Sequence, residues 1–238
     1  MMPSLLPSIA HRLRAVLMLL LIAAGGWLLV EVMLWPDVAA LAESNVDRTA
    51  FMERYRARHG RPVALTWIAY GDIADTLKRA VLVAEDIDFF GHDGFALGEI
   101  RQALSEAIRE GKLPRGASTI SQQLAKNLWL SPSRTPRRKL REVLLTRALE
   151  RRLEKKRILE IYLNVVDFGD GTFGCEAASR RFFGKPASRL STNEAARLAA
   201  VLPRPSRWSP EGSDAAFLGA VRRIERRMQR ARWLRREI

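Results

Sequence analysis

The chain has 238 residues, with 40 Lys and Arg against 26 Asp and Glu and a formal net charge of +14 at pH 7. Its one cysteine, Cys175, rules out an intramolecular disulfide, and His11, His59 and His92 lack metal-ligand spacing, which excludes a zinc site. Apolar and charged residues stand in ordinary globular proportion, so the excess of cations implies an anionic partner: nucleic acid, anionic lipid or a phosphate-bearing substrate.

From Ala15 to Trp35 the chain reads AVLMLLLIAAGGWLLVEVMLW, apolar except for Glu31 near its end and long enough to span a bilayer. Arg12 and Arg14 precede it, so the positive-inside rule places residues 1–14 in the cytoplasm and everything after the 15–35 anchor outside. A cleaved signal peptide is the alternative, with Ala40-Leu41-Ala42 as its small-residue cleavage site. Both readings export the remaining chain, where lipid headgroups and lipid pyrophosphates are better partners than nucleic acid. About 200 residues then remain, enough for one domain with a core.

Residues 36–62 read as a juxtamembrane segment, with helical periodicity over 37–60 ended by Gly60 and Pro62. A short β-like stretch follows from Val63 to Tyr70. Thereafter the periodicity predicts helices near 73–86, 96–110, 119–129, 137–163, 173–182, 191–202 and 213–236, and therefore a mainly α fold.

Three segments carry candidate chemistry. In the first, Ala84 to Gly94, Leu77, Val81 and Glu85 fall at i, i+4 and i+8, so Glu85 continues an apolar helix face. Burial there would raise the carboxyl pKa and make a general base for a sugar hydroxyl. A helix-end acid paired with Lys78 or Arg79 is the competing reading. His92 fits a loop anchor better than a catalyst.

In the second, Arg115 to Asn127, Thr119 and Gln122 have capping-box spacing, so a helix begins here with free N–H groups that attract anions. Ile120, Leu124 and Leu128 form an apolar stripe, leaving Ser118, Gln122 and Lys126 on another face suited to phosphate. A capped surface helix with a solvated lysine, a common pattern, is the competing reading. In the third, Arg134 to Glu142, concentrated cations could neutralise a leaving pyrophosphate, arginine engaging phosphate oxygens in pairs. Leu140, Leu144 and Ala148 are its expected buried stripe, and a solvated basic helix is the competing reading. Glu142, alone among cations, calls for an explanation.

In this order the segments resemble the peptidoglycan glycosyltransferase family, which comprises the monofunctional biosynthetic transglycosylases and the glycosyltransferase domain of bifunctional penicillin-binding proteins. The family's Glu-Asp, Phe, His and Gly pattern falls on Glu85, Asp86, Phe89, His92 and Gly94. Its Ser-Thr-Ile and Gln-Gln run falls on Ser118 to Gln123, followed by Lys126 and Asn127. Its Arg-Lys-x-x-Glu falls on Arg138, Lys139 and Glu142, and its Ile-Leu-Glu-x-Tyr-Leu-Asn on Ile158 to Asn164. The likeness covers residues 63–210, with a basic C-terminal helix over 211–238 outside it.

The resemblance implies a mainly α, lysozyme-like domain with head and jaw lobes behind one N-terminal transmembrane helix. It implies the monofunctional form, without a transpeptidase domain, on the periplasmic side of the bacterial inner membrane. Lipid II would be polymerised into β-1,4-linked glycan with release of undecaprenyl pyrophosphate, Glu85 acting as base and Glu142 as the second acid. Ser118, Gln122, Gln123, Lys126, Arg134, Arg138, Arg141, Asp86 and His92 match the substrate-binding positions. No cofactor is required, though the family's second acid is also credited with a divalent cation, Mg2+ or Mn2+. Partners implied are lipid II, the lipid-linked growing glycan, the membrane and cell-wall synthesis or division proteins, with no nucleic acid. A lysozyme-like hydrolase would share the fold but have no use for the cations. A basic membrane-tethered adaptor would not need Glu85.

Overall fold

The computed structural model describes residues 6–96, 98, 109, 118–133 and 135–238. The chain divides into two compact units, one up to Asp37 and one from Val38 to Ile238. The first carries helix α1, Leu6–Met33, of 28 residues. Leu17, Leu19, Leu20, Leu21, Ile22 and Leu29 stand exposed along it. Among the described residues no helix is long and apolar enough to cross a membrane.

In the second unit the helix expected over 37–60 is broken. A 3₁₀ turn, Ala39–Ala42, precedes α2, Ala50–His59, which starts where the Thr49 side chain accepts from Met52 N at 3.1 Å and ends at left-handed Gly60. The break follows from Arg157, which donates to the carbonyls of Leu41 and Ser44 and to the Asn45 side chain, taking acceptors that a continuous helix would have used. The β-like stretch is not a strand either. Ile68 pairs through both its N–H and its carbonyl with the Asn164 side-chain amide, at 2.9 Å each, so its backbone is satisfied without a neighbouring strand. Among the described residues the single β feature is an isolated bridge between Asp167 and Phe173.

Helix α3, Asp75–Glu85, buries Leu77, Val81 and Leu82 completely. Helix α4, Ile120–Trp129, opens with the expected capping box: Thr119 accepts from Gln122 N, and Gln122 Oε1 accepts from Thr119 N. Its Ile120, Leu124 and Leu128 face the core as the periodicity predicted. The helix expected over 137–163 is two helices, α5, Pro136–Arg152, and α6, Lys155–Val165. Leu153 and Glu154 are extended at the junction, where no Gly or Pro announces a break. Tertiary contacts hold it: Leu153 is buried and Lys155 is bonded to Glu150 and to the His92 carbonyl. The buried face of α5 is also not the expected one. Leu140 and Leu144 are exposed, whereas Glu142, Leu145, Thr146 and Leu149 turn inward against α4.

Helices α7, Cys175–Phe183, α8, Thr192–Val201, and α9, Ala215–Arg230, complete the unit, followed by a 3₁₀ turn, Arg232–Arg236. Arginines do not surround α9 evenly: Phe217, Val221, Ile224 and Met228 are buried against α3 and α8, and its cations occupy the other face. Each such side chain taken from water contributes about 2 kcal/mol, which fixes α3 and the carboxylate at its end. The helix expected over 96–110 lies outside the described residues.

Candidate active site

Glu85 is the last residue of α3 and is half-buried. Lys78 pairs instead with Asp75 at 3.0 Å, and Arg79 donates to the Met228 carbonyl, so neither serves as a partner for Glu85. Glu85 Oε2 accepts from Gln123 Nε2 at 2.7 Å, and Gln123 Oε1 accepts from the Tyr162 hydroxyl at 2.9 Å. The three groups, from α3, α4 and α6, form one directed chain. Burial pushes the Glu85 carboxyl above its ordinary range; the Gln123 hydrogen bond and Lys126 oppose the shift and Asp86 adds to it. Tyr162 is fully buried, which holds its phenol far above its usual pKa and keeps it a donor.

Asp86 is buried and directs its two oxygens differently. Oδ2 accepts from Ile120 N, the first amide of α4, at 2.9 Å, and Oδ1 lies 3.0 Å from His92 Nε2. Gly94 N donates to His92 Nδ1 at 3.0 Å, so the proton is on Nε2 and His92 donates to Asp86. Gly94 has φ +87, and a Cβ there would meet Thr146 at 2.8 Å, so this close turn needs glycine. Thr119 Oγ1 donates to the Gly94 carbonyl at 2.7 Å. Asp86 and His92 thus tie the end of α3 to the start of α4.

On α4, Lys126 is half-buried, and burial is the main cause depressing its pKa. Glu142 and Glu85 act to raise it, and Arg138 and Lys139 to lower it, so Lys126 sits within electrostatic reach of both Glu85 and the α5 cluster. Glu142 is 4% exposed and is gripped by Arg138 and Lys139. Arg138 and Arg141 line a recess of about 280 Å³ with Arg137, Ser131 and Ser133. Both Glu142 oxygens are engaged by these two cations, and among the described residues no group of three or more His, Cys, Asp or Glu is arranged to hold a metal ion.

Ser118 is exposed at the head of α4, its carbonyl 3.5 Å from Gln123 Nε2, and Gln122 is buried in the capping box. Arg134 and Ala117 lie outside the described residues. Sequence reasoning assigned no role to Tyr162, Lys155 or Glu150. Tyr162 stood inside a quoted motif, and only the fold shows its hydroxyl reaching Gln123.

The site is thus a half-buried carboxylate on a helical scaffold, held by an amide and within electrostatic reach of Lys126. In comparison with known proteins, residues 52–229 match the family described as Transglycosylase. A biosynthetic peptidoglycan transglycosylase of Azoarcus sp. (strain BH72) is 49% identical over 194 residues, covering 79% of this chain and 84% of that one. One of Laribacter hongkongensis (strain HLHK9) is 42% identical over 207 residues, 85% of this chain and 91% of its own. One of Aromatoleum aromaticum is 44% identical over 224 residues, 92% and 94% respectively. The chain belongs to the transglycosylase family.

Proposed function

We propose that the protein polymerises lipid II into β-1,4-linked glycan strands, with Glu85 as general base. The observation that carries this reading is the placement of a half-buried, pKa-raised carboxylate within electrostatic reach of Lys126, which is itself within reach of the Glu142 cluster. Glu85 removes the proton from the 4-hydroxyl of the acceptor's N-acetylglucosamine, whose oxygen attacks C1 of the donor's N-acetylmuramic acid. The bond from C1 to undecaprenyl pyrophosphate breaks, and the α configuration inverts to β. General-base catalysis of this kind contributes about 10²–10⁴ in rate.

Lys126, Arg138 and Arg141, with Arg134, take the leaving pyrophosphate beside exposed Ser118, while Gln122 holds the start of α4 and Gln123 holds Glu85. Glu142 is a positioning residue, holding Arg138 and Lys139 toward the donor. Asp86 and His92 act through the backbone, fixing the start of α4 relative to Glu85. A hydrolase would have no leaving pyrophosphate for these cations to stabilise.

The apolar sequence from Ala15 to Trp35 and the exposed leucines of α1 are what support reading this segment as a bilayer anchor. On that reading, Arg12 and Arg14 before the apolar run support a catalytic unit on the periplasmic side of the inner membrane. Purified protein in detergent, given labelled lipid II, should yield a ladder of glycan on a gel; release of reducing sugar from preformed strands without polymer would replace this reading with a hydrolase.

A further inference from the structure

Away from Glu85, the end of α2, the loop after α6 and residues 205–211 enclose an open cavity of about 690 Å³. A smaller recess, of about 190 Å³, shares Tyr55, Arg58, His59 and Asp167 with it and continues along α2 to Phe51. The Phe51 ring lies 5.9 Å from Lys126 Nζ. Phe51, Tyr55 and Arg58 fall on one side of α2, so the path from Lys126 to the cavity runs along about two helical turns, roughly 11 Å.

The lining has the chemistry of a saccharide site. Asp167 faces both spaces, with Oδ1 accepting from Gly169 N at 2.8 Å, and burial raises its pKa. Trp208 supplies aromatic surface and is half-buried, with Arg204 at 5.1 Å from its ring and Phe217 edge-on at 5.8 Å, whereas the Tyr55 ring is stacked on His59 at 4.3 Å and forms part of the wall. Arg58 and Arg207 are exposed at the rim without an ion pair to any described residue. The floor is a tight turn: Gly169, Asp170 and Gly171 have φ of 110, 49 and 68, and Asp170 is the one non-glycine with positive φ among the described residues. Tyr55 packs over Gly171 where a Cβ would approach to 2.1 Å, and Arg181 clamps Asp170 and Thr172.

We propose that this cavity is a second glycan-binding site, which holds sugar units of the strand away from the reacting bond. Trp208 packs on a pyranose ring, Asp167 accepts from its hydroxyl or amide donors, and Arg58 and Arg207 take the carboxylates of its peptide substituents. The inference rests on the glycan-polymerase reading and adds a grip on the polymer to it.

The test is binding of a peptide-bearing muramyl tetrasaccharide to the full chain in detergent, followed by indole fluorescence and calorimetry. Trp208→Ala and Asp167→Asn should each weaken binding about tenfold, and the Arg58→Glu, Arg207→Glu pair, exposed and so harmless to the fold, should do the same. The tetrasaccharide stripped of its peptides should bind the wild type more weakly. Glu85→Gln should bind as the wild type does. The cavity variants should still join two lipid II molecules yet make shorter strands. Wild-type affinity in Trp208→Ala and in the double arginine variant, or no binding by the wild type, overturns the proposal. Lack of polymer with cavity-dependent binding intact would instead sink the polymerase reading alone.

Discussion

Gln123 Nε2 donates to Glu85 Oε2 at 2.7 Å, and the amide is fixed in that orientation because its own Oε1 accepts from the buried Tyr162 hydroxyl. The carboxylate is therefore held by a neutral donor instead of a cation, as the proposed role of Glu85 as a base requires. Gln123→Ala removes the donor that stabilises the carboxylate, so the acid limb of kcat/KM against pH should move to higher pH. Tyr162→Phe leaves Gln123 Oε1 without its donor and should cost about 1–3 kcal/mol of stability with a smaller shift of the limb. An unmoved limb in Gln123→Ala would contradict the aiming role.

Glu85 should also burden the fold. A carboxyl whose folded pKa lies above its unfolded value binds its proton more tightly when folded, so stability falls as pH rises between the two values and stays lower at neutral pH. Glu85→Gln, neutral and able to accept from Gln123, should melt higher than the wild type at pH 7. The difference should vanish below the ordinary carboxylate range. Paired melts at pH 7 and near pH 3.5, about the lower edge of that range, check both signs.

Glu142 holds two cations beside Lys126, so Glu142→Ala frees Arg138 and Lys139 and removes an anion that favours charged Lys126. The basic limb of activity should move to lower pH, KM for lipid II should rise and salt should inhibit more strongly. Because Lys139 is half-exposed, the stability cost should be modest, about 1–2 kcal/mol. A wild-type basic limb and salt response would remove Glu142 from the anion site.

Gly171 and Gly184 share a left-handed φ, +68 and +64, but only Gly171 has Tyr55 where its Cβ would go. Gly184→Ala should cost about 1 kcal/mol from backbone strain. Gly171→Ala should cost about 3 kcal/mol, strain and overpacking together. Urea unfolding of both in the same detergent separates the two terms, and equal losses would show that Tyr55 yields freely.

Much of the site was legible because its signals are local. The Thr119 and Gln122 spacing fixes the start of α4, and the Leu77, Val81, Glu85 register puts the base on a buried face. What escaped depends on side chains meeting across the fold. The break between α5 and α6 has no Gly or Pro and is set by buried Leu153 and by Lys155 bonding to the His92 carbonyl. Leu140 and Leu144 have the spacing of a core stripe, yet α5 turns Glu142 inward, since its ion pairs with Arg138 and Lys139 make burial of the carboxylate tolerable. Tyr162 could be placed in a motif by sequence, but its hydroxyl's partner lies 39 residues earlier on another helix.

The most direct test is single-turnover coupling of lipid II by the wild type and by Glu85→Gln at equal folded concentration, with strand length read on a gel. Glu85→Gln should bind lipid II as the wild type does and form bonds at least about 10²-fold more slowly. Glycan made at the wild-type rate by Glu85→Gln would contradict the assignment of the base.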